Sequence, residues 1–151
     1  MIPPSIVELL QTGVSVVVGT RDAALMPECT RAWGIRVGKD RVSVTIYLTE
    51  SISRQTLKNL DDNGLIAISC TRPTDHVACQ LKGRVRQIRQ AAKRDVEQSR
   101  AWHRDFVQEL VAIGVPPSLG EAWITEPALA VDVDVTDMFH QTPGPGTGEK
   151  L

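Results

Sequence analysis

The stretch HVACQLKGRVRQI, residues 76–88, puts the tightest limit on what this chain can fold into. Val77, Cys79, Leu81 and Val85 take one parity, while Gln80, Lys82, Arg84 and Arg86 take the other. A period of two suits a β-strand with one face on a core and one in water. A helix, with its 3.6-residue repeat, cannot bury that pattern. Gly83 interrupts the apolar row and marks a bulge or bend. ALAVDVDV, residues 128–135, repeats the pattern, with Leu129, Val131, Val133 and Val135 inward and Asp132 and Asp134 outward. The two outward faces carry opposite charge. These strands are therefore predicted to be neighbours, with Lys82, Arg84 and Arg86 facing Asp132 and Asp134, and Arg84 set against Asp132. Such exposed pairs contribute roughly 0.2–1 kcal/mol each and mainly hold register.

Four more strands are predicted. VSVVVGT, ending at Thr20, is a continuous β-branched run. ECTRAWGIRV (28–37) turns at GKD (38–40) into RVSVTIYL (41–48). In the latter, Val42, Val44, Ile46 and Leu48 face the core, and Arg41, Ser43, Thr45 and Tyr47 take a polar face. LIAISC (65–70) is turned by RPTD (72–75). Helices are predicted at SIVELLQ, at about 53–62 with Asn63 and Gly64 closing it, and at about 90–113. The last carries an apolar stripe of Trp102, Phe106, Leu110 and Ile113 and stops at Gly114, Pro116 and Pro117. The order shows no βαβ alternation, so the fold class is mainly β: a six-stranded antiparallel barrel with flanking helices. Residues 1–140 are expected to form a single domain. The Pro/Gly-rich tail QTPGPGTGEKL (141–151) is expected to be loose or laid on a partner.

Net charge is −1, which argues against nucleic-acid and membrane partners. The start MIPPSIVELL does not read as a secretory signal, and no apolar run reaches the roughly 20 residues of a membrane span. Cys29, Cys70 and Cys79 form no CxxC spacing and read as reduced residues of a cytoplasmic protein. His76, His103 and His140 are scattered without metal-ligand spacing, so no metal is expected. Trp102 and Phe106 read as core, Trp33 as bordering a ligand or a subunit seam, and Tyr47 as a donor near a ligand.

TESISRQTLKNL (49–60) sits where a strand ends and a helix begins. Ser51 or Ser53 could be an ordinary N-cap. The same free amides and helix dipole also suit a phosphate, with Ser hydroxyls and Arg54 as further donors. A cation in the first turn is otherwise unfavourable against the dipole. In the second strand, Ala32 and Gly34 share a parity with Thr30 and Arg36. They leave a strip of bare backbone on which either a flat ring or a covering helix can lie.

With RAWGIR (31–36), TESISR (49–54) and the strand containing KGRV (82–85), the chain resembles the pyridoxamine 5'-phosphate oxidase-like FMN-binding split barrels. The resemblance covers about 15–136. RAWGIR looks like that family's Arg-x4-Lys/Arg strand, and TESISR like its Thr-x3-Ser-Arg segment. It implies a split β-barrel and an FMN-dependent oxidoreductase acting as a homodimer, with the cofactor at the subunit interface. By the same resemblance, Arg31 and Arg36 would contact the phosphate and flavin edge. Leu48 and Thr49 would lie along the flavin, and Ser53 and Arg54 would grip the phosphate. No catalytic side chain is implied. Three features depart from the family's oxidases: Gln55 replaces a lysine, the Arg-Gln pair is unmatched around 76–78, and the C-terminal Arg-x-His segment is absent. Oxidation of pyridoxamine phosphate is accordingly not expected. The alternative is a non-catalytic flavin-, deazaflavin- or haem-binding module of the same fold.

Overall fold

A computed structural model describes residues 1–123 and 125–151. The elements run α1 (Pro4–Leu10), β1 (Ser15–Arg21), β2 (Pro27–Ala32), β3 (Ile35–Val37), β4 (Ser43–Leu48), α2 (Arg54–Asn63), β5 (Leu65–Thr71), β6 (Ala78–Gln90), α3 (Lys93–Ala112), α4 (Pro117–Ala122) and β7 (Leu129–His140). The strands form one sheet in the order β2-β1-β5-β6-β7-β4-β3, and every pairing is antiparallel. Val16, Val18, Ile46, Leu48, Ile68, Leu81 and Val131 fill the inside of the curl. Cys70 and Cys79 lie opposite each other on β5 and β6 within that core. No helix among the described residues is long and apolar enough to cross a membrane.

Seven strands are present among the described residues, where the periodicity predicts six. The extra strand arises because 28–37 is broken at Trp33–Gly34. Gly34 has φ +126°, which only glycine adopts readily. The first half pairs with β1 and the second with β4, so one segment supplies both edges of the sheet. Two backbone bonds hold the break to β4: Trp33 N–H to Tyr47 O at 2.8 Å and Tyr47 N–H to Gly34 O at 3.3 Å.

The long pair β6–β7 is present as the alternation predicts, but its register contains two irregularities, at Lys82/Gly83 and Val85/Gln87. At the first, a Cβ on Gly83 would lie 2.1 Å from Asp134 O, so glycine permits the close approach. The second advances β6 by one residue and changes the partners. Arg86 binds Asp134 as expected, but Asp132 pairs with Arg89 at 3.0 Å rather than with Arg84. Arg84 instead reaches the Asn63 carbonyl.

Other boundaries move for local reasons. β4 begins at Ser43, because Arg41 takes φ +55° and the Asp40 carboxylate accepts the Val42 and Ser43 amides. Thr45 and Tyr47 of its expected polar face are also buried, and Tyr47 lies with Trp102 of α3 against Gly34. α3 ends before Ile113, which is exposed, while Trp102 and Phe106 are core. Pro116 and Pro117 stop α3 but also start α4, since proline suits a first helical turn. Residues 141–151 do not trail loose. Glycines turn the chain back along β7, with Gly148 N–H to His140 O at 2.7 Å and Leu151 N–H to Met138 O at 2.9 Å.

Gly34→Ala is expected to lower the unfolding free energy by about 1–3 kcal/mol. Its Cβ would meet Tyr47 at 3.1 Å and Trp102 at 3.3 Å in a strained conformation. Urea denaturation checks this. An unchanged midpoint would show that the break does not depend on glycine.

Candidate functional site

The chain leaves β4 at Leu48, whose side chain is core and whose carbonyl accepts the Ala128 amide at 3.1 Å. Thr49 and a single 3-10 turn, Glu50–Ile52, lead into α2. Ser53 stands at the N-cap, and its carbonyl accepts the Leu57 amide at 2.8 Å. Its hydroxyl does not cap the helix. It is buried at 1% exposure and lies 3.4 Å from the Thr30 hydroxyl, which is also within hydrogen-bonding reach of the Ile52 carbonyl. The ordinary-cap reading of Ser53 therefore fails, because β2 draws the side chain inward. The first-turn amides keep no side-chain acceptor. Thr49 Oγ1 is buried without a partner. Arg54 is exposed and has no carboxylate partner among the described residues. Gln55, at the position of the family's lysine, donates to Asn59 at 2.9 Å.

Arg31 and Arg36 sit elsewhere, both toward α3. Arg31 donates to Ser15 Oγ at 3.2 Å and lies over the rings of Phe106 and Trp123 at 5.8 and 5.7 Å. Arg36 donates to Thr45 Oγ1 at 3.0 Å, and Thr45 donates to Asp132 at 2.7 Å. Asp132 binds Arg89, which in turn binds Asp95 of α3 at 2.5 Å. The bare strip is not open to a ring. Ala32 is fully buried, and the side chains of Tyr47 and Trp102 lie against Gly34. Thr49, Ser53 and Arg54 thus cluster at the start of α2, with Leu48 behind them in the core. Arg31 and Arg36 carry separate partners. Arg31 lines one cavity with Phe106 and Trp123, and Arg36 lines another with Ile35 and Trp102.

Two parts of this arrangement escape sequence reading. The parity of Thr30 was visible, but its contact with Ser53 was not. Arg89 and Asp95 lie past the expected end of β6, and neither carries a motif. Asp95 is 1% exposed, and the Arg89 guanidinium, with the Ala92 amide, holds its carboxyl below the usual range. Burial pushes the Tyr47 hydroxyl up, and nearby Arg36 partly offsets this.

Because the folded value of Asp95 is lowered, its stabilisation is complete above the unfolded carboxylate value of about 3.9. It is lost as pH falls through the lower folded value. Arg89→Met is expected to cost about 3–5 kcal/mol at neutral pH, since it strands a buried charge. The gap to the wild type should narrow below about pH 4. Urea unfolding across that range tests this, and a constant gap would remove Asp95 as the charged partner.

No family model matches the chain, and no curated protein matches it. Solved structures do. A pyridoxamine 5'-phosphate oxidase-related, FMN-binding protein from Nostoc punctiforme is 12% identical, with 96% of this chain and 87% of that chain covered and a TM-score of 0.54. The fold is the pyridoxamine 5'-phosphate oxidase-like split barrel. HupZ of Group A Streptococcus shares it at 17% identity and a TM-score of 0.61, covering 98% of this chain and 100% of that one. An F420 reductase shares it at 16% identity and 0.57, covering 91% and 98%. At such identities the likeness is one of fold. In this split barrel the break between β2 and β3 and the start of α2 are the features nearest to the resembling motifs.

Proposed function

We propose that this chain is a flavin-dependent oxidoreductase that holds FMN by its phosphate at the start of α2. The observation that carries the reading is the uncapped helix N-terminus beside the buried, unpartnered Thr49 Oγ1. A phosphate there would accept the first-turn amides and take the cation of Arg54, which has no carboxylate partner among the described residues. Thr49 and Ser53 flank that N-terminus, and their buried hydroxyls would have to turn outward to add donors. Thr30 sets the Ser53 rotamer. Arg31 and Arg36 keep their contacts beneath α3 in this reading. When bound, the flavin supplies the hydride or electron transfer; the chain supplies anchoring and shape.

Ile52 and Arg54 are both exposed, so the α2 start is an open surface. A second copy would wall the ring, which supports a homodimer with the cofactor at the seam. The engagement of Gln55 with Asn59 removes one side chain from the phosphate. That favours, as a second reading, a non-catalytic flavin-, deazaflavin- or haem-binding module of the same fold.

The purified protein is expected to retain a flavin absorption spectrum after FMN is added and the excess removed. Arg54→Ala should weaken FMN by about tenfold or more, because a hydrogen bond to a charged group contributes about 1.5–3 kcal/mol. Equal affinity in wild type and variant would return this segment to a purely structural role. Light scattering of the FMN-bound form should give twice the chain mass, and a monomer would exclude the shared seam.

A further inference from the structure

On the face of β2 that carries Arg31, a cleft of about 370 Å³ opens toward the far half of α3. Phe106, Leu110, Ile113 and Trp123 give it apolar walls. No acidic side chain among the described residues lines it, and Arg31 is its only arginine or lysine. Its size falls within the roughly 300–1,000 Å³ of small-molecule sites.

The Arg31 guanidinium is held in place. Nη1 donates to Ser15 Oγ at 3.2 Å, and the group lies over the rings of Phe106 and Trp123 at 5.8 and 5.7 Å. A cation is attracted to such ring faces. Phe106 is a fixed support, because it is buried and stacks on Trp102 with ring centroids 5.1 Å apart.

Ser15 takes one end of the guanidinium and leaves the opposite edge. Nε and Nη2 meet no acceptor among the described residues. Neither is among the buried polar atoms that lack a partner, so both are open to solvent. Together they form an edge with two parallel N–H bonds, which matches the two oxygens of a carboxylate. The chain uses this same edge twice elsewhere. Arg72 holds Asp75 through Nε and Nη2 at 3.0 and 2.6 Å, and Arg86 holds Asp134 through the same two nitrogens. At Arg31 the apolar walls supply no carboxylate, so a matching acceptor has to come from outside the chain. A phosphate would bring nearly two charges and three acceptor oxygens to a single cation among apolar side chains. A monoanion with an apolar body fits both the one edge and the walls.

We infer that this cleft binds an aliphatic monocarboxylate of the fatty-acid class. The carboxylate takes the Nε–Nη2 edge of Arg31, and the hydrocarbon lies along Leu110, Ile113 and Trp123. The site lies on the opposite side of β2 from the α2 start and does not rest on the FMN reading.

The probe is octanoate, titrated into the full chain by calorimetry. Saturable binding at millimolar concentration or below is expected, tighter than that of octanol, which has the tail without the charge. Arg31→Gln should bind octanoate about tenfold more weakly, the loss of a charge-assisted contact. It should bind octanol as the wild type does, which shows that the walls are kept. If the variant loses octanol as well, Ile113→Asp decides, since Ile113 is exposed and tolerates the change. Placing an acid on the wall should weaken octanoate several-fold, and an unchanged affinity overturns the inference. It is also overturned if octanoate does not bind, if octanol binds the wild type equally well, or if octanoate affinity is equal in wild type and Arg31→Gln. Displacement of octanoate by FMN overturns it too, because the cleft would then belong to the flavin. A chain that binds no FMN leaves the octanoate result standing, so the two readings fail separately.

Discussion

The structure depends on the join at Trp33–Gly34. A single extended segment leaves one edge of the sheet and enters the other, and two backbone bonds to Tyr47 hold the crossing. An open sheet exposes unpaired edges that invite association. Here the edges are two halves of one segment, so bending the sheet brings them together by chain connectivity. Gly34 supplies the backbone conformation, and its missing side chain makes room for Trp102. Everything α3 covers follows from that contact: Tyr47 is buried, Trp33 is pinned, and the outer face of β4 becomes a second interior.

That second interior is polar as well as apolar. Arg36, Thr45, Asp132, Arg89 and Asp95 run from β3 across β4, β7 and β6 into α3. A partly buried chain of this kind is weak evidence of net stability, because desolvation opposes the attraction. Its stronger effect is on placement. Asp95 accepts the Ala92 amide at the start of α3 and binds Arg89 of β6, so one carboxylate sets both the helix start and its position on the sheet. A cavity lined by Trp33, Trp102 and His103 lies along the same helix.

The start of α2 works differently. It lies on the opposite side of β2 from Arg31, and its Ser53 hydroxyl meets Thr30 rather than the helix amides. The resemblance groups Arg31, Arg36, Leu48, Thr49, Ser53 and Arg54 by motif. The structure places Thr49, Ser53 and Arg54 at the start of α2, Leu48 in the core, and the two arginines against partners of their own. A motif states which residues occur together in a chain. It does not state which face of a strand each one takes once the strand is broken.

Much of the architecture was legible in one dimension. Period-two alternation located the long strands 76–88 and 128–135, opposite charges named them as neighbours, and Gly83 marked the first bulge. These are local signals: a side chain's parity and a glycine's missing Cβ act within a few residues. The sequence by itself therefore determined a mainly β antiparallel fold, the helices α1, α2 and α3, and a serine–arginine helix start. Only the tertiary structure decided that 28–37 breaks into two edges, that Asp132 pairs with Arg89, and that Tyr47 and Trp33 are buried. Each of these depends on what packs opposite: Trp102 over Gly34, a second bulge shifting β6 by one residue, α3 over β4. Register and coverage are properties of the partner across the gap, and no local pattern contains them.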